Sequence, residues 1–173
     1  MIERFRGSYE AAAPRWAMLP LRLIVGYGFM AHGIAKWSRG PEHFGQLLQQ
    51  IGVPLPVATA WIVTLLEVFG GLAILLGVLV ALASIPLIAS MLVPMFTVQL
   101  RYGFSSVNTI GLTDAGPVFG PPGYEINLLY IASLVALALL GAGPLSVGRW
   151  VAGRRAARSG RAIADAWKRE PLV

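Results

Sequence analysis

The chain contains no cysteine, which excludes disulfides, thiolate metal sites and thiol exchange by the chain itself. Charge is also scarce, because only 13% of its 173 residues are Asp, Glu, Lys or Arg, about half the fraction usual in a soluble domain. Hydrophobic residues make up 56% of the sequence. A surface so poor in charge suits hydrocarbon better than water, so the composition predicts an integral membrane protein.

Histidine is nearly absent as well. His32 and His43 are the two in the chain, and they lie on different predicted helices. Their spacing fits no zinc site, and a bis-histidine haem would need both side chains to face one cavity. The sequence also lacks a phosphate-binding loop, a dinucleotide-binding motif and a nucleophile elbow. We therefore expect no metal, haem or nucleotide cofactor.

The formal net charge is +6, but the location of the basic residues argues against nucleic-acid binding. Half of the fourteen basic residues follow the apolar part of the chain. They are Arg149, Arg154, Arg155, Arg158, Arg161, Lys168 and Arg169. Such a cluster suits the anionic headgroups of a lipid bilayer, so we expect residues 143–173 to form a basic tail at the membrane surface.

Long apolar segments predict an all-α fold, a bundle of four transmembrane helices within residues 16–142. The first segment follows fifteen residues of mixed charge (1–15) and would be about 33 Å long as a helix, enough to cross a bilayer. Residues 57–100 contain one formal charge, Glu67, and would be about 66 Å long, so we expect two helices with a tight turn near residues 77–84. The spans are predicted at residues 16–37, 57–78, 82–101 and 124–141.

The first and third loops have different patterns. Residues 41–52 predict a short amphipathic helix lying in the membrane interface, because apolar side chains recur there at helical spacing and Gly52 ends the pattern. The third loop, roughly residues 102–123, is rich in Gly, Pro, Ser and Asn, and we expect it to be irregular and to lie over the bundle.

The distribution of basic residues predicts the orientation. An even number of spans puts both termini on one side, together with most of the basic residues, so both termini are expected to be cytoplasmic. The opposite side has Lys36, Arg39 and Arg101. The predicted location is the inner (plasma) membrane of a bacterium.

Charged side chains within the first span are candidate functional residues. One helical stripe, about 80° wide, contains Arg22, Gly26, Phe29, Gly33 and Lys36. His32 lies at the edge of this stripe. Because glycines let another helix approach closely, we expect the stripe to face protein and not lipid.

Glu67 lies inside the second span, where an ionisable group costs roughly 2.5–3.5 kcal/mol on insertion scales and so needs a partner. Arg22 and His32 are the expected partners. If the membrane boundary is at Pro56, Glu67 lies about 17 Å below it and is level with Arg22. If the boundary is at Trp61, Glu67 lies about 9 Å below it and is nearer His32. The group is either half of an ion pair that fixes helix register, or part of a proton-coupled site.

Four charges are predicted near the outer ends of the spans. Lys36 and Arg39 are expected to be cations whose side chains extend to the membrane–water interface. Arg101 is expected to end the third span. Glu125 complements the N-terminus of the fourth helix, worth about 0.3–1 kcal/mol, and a bridge to Arg101 or Lys36 would hold the third loop down as a lid.

Five motifs, in order, resemble the DoxX family of small four-helix membrane proteins. They are R-x3-G-x2-F-x2-HG-x2-K (Arg22–Lys36), G-x-P (Gly52–Pro54), E-x2-GG-x5-G (Glu67–Gly77), GYE-x2-LL (Gly123–Leu129) and LLGxGPLS (Leu139–Ser146). The resemblance covers roughly residues 16–150. One departure is the second turn, GVLVALASIP, which lacks the basic residue that is frequent there in the family.

The resemblance implies membrane redox work. Relatives are associated with quinone-linked oxidation of sulfur compounds, and with membrane complexes that join superoxide- and thiol-detoxifying enzymes. The first hypothesis is therefore a subunit of a quinone-linked oxidoreductase, with a pocket for a quinone or similar lipophilic molecule between the first two spans. His32 and Glu67 are its candidate catalytic residues. Its candidate binding residues are Arg22, Phe29, Lys36, Arg101 and Glu125.

The second hypothesis belongs to a different class. It is a non-catalytic membrane anchor or assembly factor that recruits soluble redox enzymes, or a second membrane subunit, through the basic tail or the first loop. Either function is compatible with a homo-oligomer.

Overall fold

The helices of the protein follow its apolar segments. A computed structural model describes residues 2–154, 156, 157 and 159, with side chains from Trp16 onward. The α-helices are α1 (Ile2–Arg39), α2 (Pro41–Gln50), α3 (Pro56–Leu76), α4 (Val80–Pro94) and α5 (Glu125–Leu140). The described chain is mostly helical, as the sequence predicts.

Three helical segments are long and apolar enough to cross a membrane, namely Trp16–Arg39, Pro56–Leu76 and Val80–Tyr102. The fourth apolar helix, α5, is shorter, with 16 residues. Large apolar side chains are exposed around the bundle, as expected where lipid is the solvent. They include Ile24, Ile62, Phe69, Leu82 and Ile85. The prediction of a membrane-integral helical protein is therefore confirmed.

The core lies where α1, α3, α4 and α5 meet. Its buried apolar side chains include Val25, Phe29, Ile74, Leu87, Leu134 and Leu137. The turn between α3 and α4 is as tight as the sequence predicts, because Gly77 ends α3 in the left-handed conformation (φ 69°) and α4 begins at Val80. Left-handed glycine is a common way to end a helix and reverse the chain.

The third apolar segment is not one regular helix. After Pro94 the backbone forms a π-helix, Met95–Gln99, and then a 3-10 helix, Leu100–Tyr102. A proline removes one backbone donor from the α-helical pattern, and a π-helical turn is one way in which the following residues remain paired. The irregular segment brings Gln99 to the wall of a cavity described below.

Helices α1 and α3 are packed backbone to backbone. A side chain at Gly71 would place its Cβ 2.6 Å from the backbone nitrogen of Met30, and one at Gly26 would lie 2.6 Å from that of Leu75. A Cβ at Gly33 would likewise lie 2.7 Å from the backbone nitrogen of Val68 in α3. The prediction that the glycine stripe faces protein is confirmed.

Helix α2 covers the first turns of α3, beyond the end of α1. Gly45 of α2 lies against Val57, and Trp61 Nε1 donates a hydrogen bond to Glu42 at 3.3 Å. The rings of Trp37 and Trp61 meet edge to face, with centroids 6.1 Å apart. Helix α3 therefore extends past α1 by more than a turn, and Trp61, not Pro56, is level with the end of α1.

Arg22 closes the opposite end of the bundle. It is 3% exposed, and its two terminal nitrogens donate to the carbonyls of Ala142 (2.6 Å) and Leu145 (3.0 Å), just after α5 ends. Hydrogen bonds to a charged donor are worth about 1.5–3 kcal/mol each. Arg22 thus fastens the chain after α5 to α1, and its predicted pairing with Glu67 is wrong.

The segment after the 3-10 helix contains a β-hairpin, so the prediction of an irregular third loop is wrong at its centre. Strands β1 (Thr109–Thr113) and β2 (Gly116–Phe119) pair in antiparallel fashion. Glu125 fastens this loop, because its Oε2 accepts a hydrogen bond from the backbone nitrogen of Ser106 at 2.9 Å. Most of the basic tail (Arg155, Arg158 and residues 160–173) lies outside the described residues.

Two neighbouring glycines provide a matched test of the α1–α3 contact. In Gly71→Ala the new methyl meets the backbone of Met30, which cannot move without separating the helices, so we expect a loss of about 1–3 kcal/mol in unfolding free energy. In Gly70→Ala the methyl meets only the Leu87 side chain, at 3.3 Å, which can adjust. Chemical unfolding in detergent measures both, and equal effects in the two variants would contradict the contact.

Candidate functional site

A buried ion pair joins α1 to α3. Glu67 is 1% exposed, and Lys36 Nζ lies 2.5 Å from both of its carboxylate oxygens. The Lys36 side chain is 27% exposed, so its ammonium is the half of the pair that reaches toward solvent. The ring of Phe44 in α2 also faces this ammonium, 4.9 Å from ring centroid to nitrogen. The pair thus connects three helices.

The identity of the partner corrects the prediction. Glu67 pairs neither with Arg22 nor with His32, and Lys36 is not simply an interfacial cation. The reason is the offset between the helices: Glu67 lies beside Gly33, and a side chain at residue 33 would bring its Cβ to 3.0 Å from the Cβ of Glu67, closer than an ordinary contact. Lys36 is one turn further along the same face of α1 and reaches back to Glu67.

A central cavity of about 210 Å³ adjoins the ion pair. It lies between α1, α3, the end of α4, the π-helical segment and α5, and not simply between the first two spans as predicted. Its walls are formed by Phe29, His32, Lys36, Glu67, Met91, Pro94, Gln99, Pro122, Gly123, Ile126, Asn127 and Tyr130. Four of the residues predicted from the sequence are therefore brought together here: Phe29, His32, Lys36 and Glu67.

Asn127 and Gln99, two amides that line this cavity, differ in their hydrogen bonding. Asn127 donates through Nδ2 to the carbonyl of Met91 at 3.0 Å, which ties α5 to α4. The buried Oε1 of Gln99 has no hydrogen-bond partner among the described residues. A buried polar atom without a partner costs about 1–3 kcal/mol, so this oxygen favours a ligand or water that donates a hydrogen bond to it.

The opposite wall of the cavity is aromatic. The rings of Phe29 and Tyr130 pack edge to face, with centroids 5.2 Å apart, and Phe29 is fully buried. Tyr130 is close to the backbone of α1 because residue 28 is a glycine. An aromatic wall opposite a small polar cluster is typical of sites that bind a flat, mostly apolar group.

Two more cavities meet at Lys36. The α1–α2 pocket, about 360 Å³, is lined by His32, Ala35, Lys36, Arg39, Gly40, His43, Phe44 and Leu47. The α2–α4 cavity, about 320 Å³, is almost wholly apolar apart from Lys36 and Glu67 and lies between α2, α3 and the end of α4. Lys36 lines all three cavities, and His32 lines the central cavity and the α1–α2 pocket.

Two predicted binding residues lie apart from this site. Arg101 follows the π-helix, is exposed, and stacks over the ring of Tyr102 at 4.8 Å. Glu125 begins α5 and binds Ser106, as described. Neither lines the central cavity, and no bridge joins Glu125 to Arg101 or Lys36 among the residues that the structure describes.

Gln99 is the functional candidate that the sequence prediction missed. It is a lone amide within an otherwise apolar stretch, PMFTVQL, and such a residue in a membrane span usually faces protein. That signal was available in the sequence. The π-helix that directs Gln99 to the cavity depends on Pro94 and has no distinctive periodicity.

Comparison with known proteins finds a matching family and a similar protein, but no matching solved structure. A family model described as DoxX matches residues 17–100, which include Arg22, Lys36, Glu67 and Gln99. An uncharacterized membrane protein of Mycobacterium tuberculosis is 29% identical over 164 residues, covering 84% of this chain and 90% of the relative. No solved structure matches the chain.

A double-mutant cycle tests the ion pair. Lys36→Met leaves the Glu67 carboxylate buried without a cation, so we expect a loss of about 3–5 kcal/mol in unfolding free energy. Lys36→Met combined with Glu67→Met should recover most of that loss, because apolar residues of similar volume replace both charges. Arg39→Met, on the exposed face of the same helix end, is the matched control and should change stability by less than about 0.5 kcal/mol. Additive effects of the two substitutions would contradict the pairing.

Proposed function

The chain belongs to the DoxX family, and on that premise we propose that it is a membrane-embedded subunit of a redox system, with a site for a quinone-like headgroup in the central cavity. The observation that carries the proposal is the buried Lys36–Glu67 pair beside the unpaired oxygen of Gln99. A charge pair, a free acceptor and an aromatic wall in one cavity suit a flat ligand that exchanges protons.

The proposal includes a membrane topology. Helix α5, with the residues around it, is the fourth span, and α2 lies in the outer interface beside the Trp37–Trp61 pair. Both termini are cytoplasmic, in the bacterial plasma membrane, with residues 143–173 as a basic tail at the inner surface. The central cavity then lies in the outer half of the bilayer, reached by lipophilic molecules.

The size and polarity of the cavity fit one ring and not a whole lipid. Its volume of about 210 Å³ is below the roughly 300–1,000 Å³ of sites for drug-sized molecules. A ring would lie against Phe29 and Tyr130, and one of its hydroxyl groups would donate to Gln99 Oε1. An attached apolar tail would leave between the helices toward lipid, where apolar side chains are exposed.

The protein's own residues provide the route for protons. A quinone-type headgroup, when bound, supplies two-electron chemistry coupled to two protons. Glu67 lines the cavity, and its carboxylate can hold a proton there. Lys36 balances the carboxylate when that proton leaves, and its partly exposed ammonium also lines the α1–α2 pocket. His32, which lines both spaces, is placed to pass the proton outward.

A non-catalytic role as a membrane anchor or assembly factor is the second candidate. It draws on the seven basic residues after residue 148, a cluster that can contact an acidic protein surface as well as anionic headgroups. Under this function the tail recruits a soluble redox enzyme or a second membrane subunit. Deleting residues 149–173 would then release that partner while the helical core stays folded, as measured by co-purification.

Binding of a short-chain benzoquinone analogue, in its oxidised and reduced forms, tests the first proposal. Gln99→Leu removes the acceptor, so we expect affinity for the reduced form to fall by about three- to tenfold, the equivalent of one hydrogen bond. Glu67→Gln should weaken binding and flatten its pH dependence, because the variant has no carboxylate to take up a proton. Titration calorimetry on the detergent-purified full chain measures both effects.

Gln46→Leu is the matched control, because it makes the same change on the exposed side of α2. It should leave affinity unchanged. If Gln99→Leu, Glu67→Gln and His32→Ala all retain wild-type affinity and pH dependence, the central cavity is not the quinone site.

A further inference from the structure

The α1–α2 pocket has a composition unlike that of the other two cavities. Basic side chains from two helices converge on it: His32, Lys36 and Arg39 from α1, and His43 from α2. Its volume of about 360 Å³ is within the range of small-molecule sites. The central cavity and the α2–α4 cavity each contain Glu67, whereas no carboxylate lines this pocket.

The two cations that line the pocket, Lys36 and Arg39, differ in their ion-pair partners. Glu67 neutralises Lys36, but Arg39 has no carboxylate within salt-bridge distance among the described residues. Glu42 does not line the pocket, and its Oε1 accepts a hydrogen bond from Trp61 Nε1. The guanidinium of Arg39 and the two imidazoles line the pocket and can donate hydrogen bonds to an anion.

The other side of the pocket is apolar. Ala35, Phe44 and Leu47 line it, and Leu47 is 48% exposed. The Trp37–Trp61 pair lies at the same end of the bundle, and tryptophans of this kind mark the level of lipid headgroups in membrane proteins. A pocket that is basic on one wall and apolar on the other, at headgroup level, matches an amphiphile with an anionic head.

We propose that the α1–α2 pocket binds a phosphate-bearing anion, with the phosphate at Arg39, His43 and His32. A phospholipid of net negative charge fits both walls, because its acyl chain would lie along Phe44 and Leu47. Free inorganic phosphate has the same anionic chemistry but uses only the basic wall. This site goes beyond the quinone-like site, since it is a separate cavity with its own ligand class.

Native mass spectrometry of the detergent-purified full chain, titrated with phosphatidylglycerol or phosphatidylcholine, tests the site. We expect tighter binding of phosphatidylglycerol, and a loss of about fivefold in Arg39→Gln, the usual effect of one basic residue near an anionic headgroup. His43→Gln should weaken binding further when combined with it. Arg101→Gln changes an exposed arginine that lines none of the three cavities, and this matched control should bind as the wild type does.

Competition distinguishes the two sources of phosphate. If millimolar inorganic phosphate leaves phosphatidylglycerol bound, and Leu47→Ser weakens the lipid, the ligand is a lipid headgroup. If inorganic phosphate displaces the lipid in the wild type but not in Arg39→Gln, the anion site stands and its ligand is the free ion. Equal affinity for the two lipids, or equal losses in Arg39→Gln and Arg101→Gln, would overturn the proposal. Binding of the quinone analogue to Arg39→Gln is measured separately and does not bear on this result.

Discussion

A carboxylate placed in the middle of an apolar helix has to be neutralised from within the protein, and this requirement organises the bundle around Glu67. The cation comes from Lys36, which can reach it because α1 and α3 touch at glycines. Because the backbones of α1 and α3 touch, no side chain fits between them at the glycines. The three cavities lie beside this contact, and Lys36 lines all of them.

The two cations of the charged stripe of α1 form contacts at opposite ends of the helix bundle, although they share one helical face. Arg22 and Lys36 are fourteen residues apart, about 21 Å along the helix axis. Arg22 satisfies carbonyls after the end of α5, while Lys36 satisfies a carboxylate on α3. Two cations on one face therefore have separate structural roles, and a shared face does not imply a shared site.

The sequence predicted the helices, the glycine contact and the need of Glu67 for a partner, because these depend on local periodicity and on the cost of burying charge. It did not predict the partner. That depends on how far α3 extends past α1, which follows from tertiary contacts such as those of Gly33 with Val68 and of Gly45 with Val57. The β-hairpin was also missed, because its exposed strands lack the alternation of apolar and polar residues that marks a half-buried sheet.

The π-helix at Met95–Gln99 means that the direction of a side chain in the cavity wall depends on the backbone hydrogen-bond pattern as well as on residue identity. A π-helical turn holds about one residue more than an α-helical turn, so it absorbs one residue without turning the residues that follow. If the same residues formed a continuous α-helix, every following side chain would rotate by about 100°. Gln99 would turn away from the cavity without any change in its identity. Relatives that keep this glutamine but form a regular α-helix here would therefore share the helices and the ion pair but differ in what the cavity can recognise.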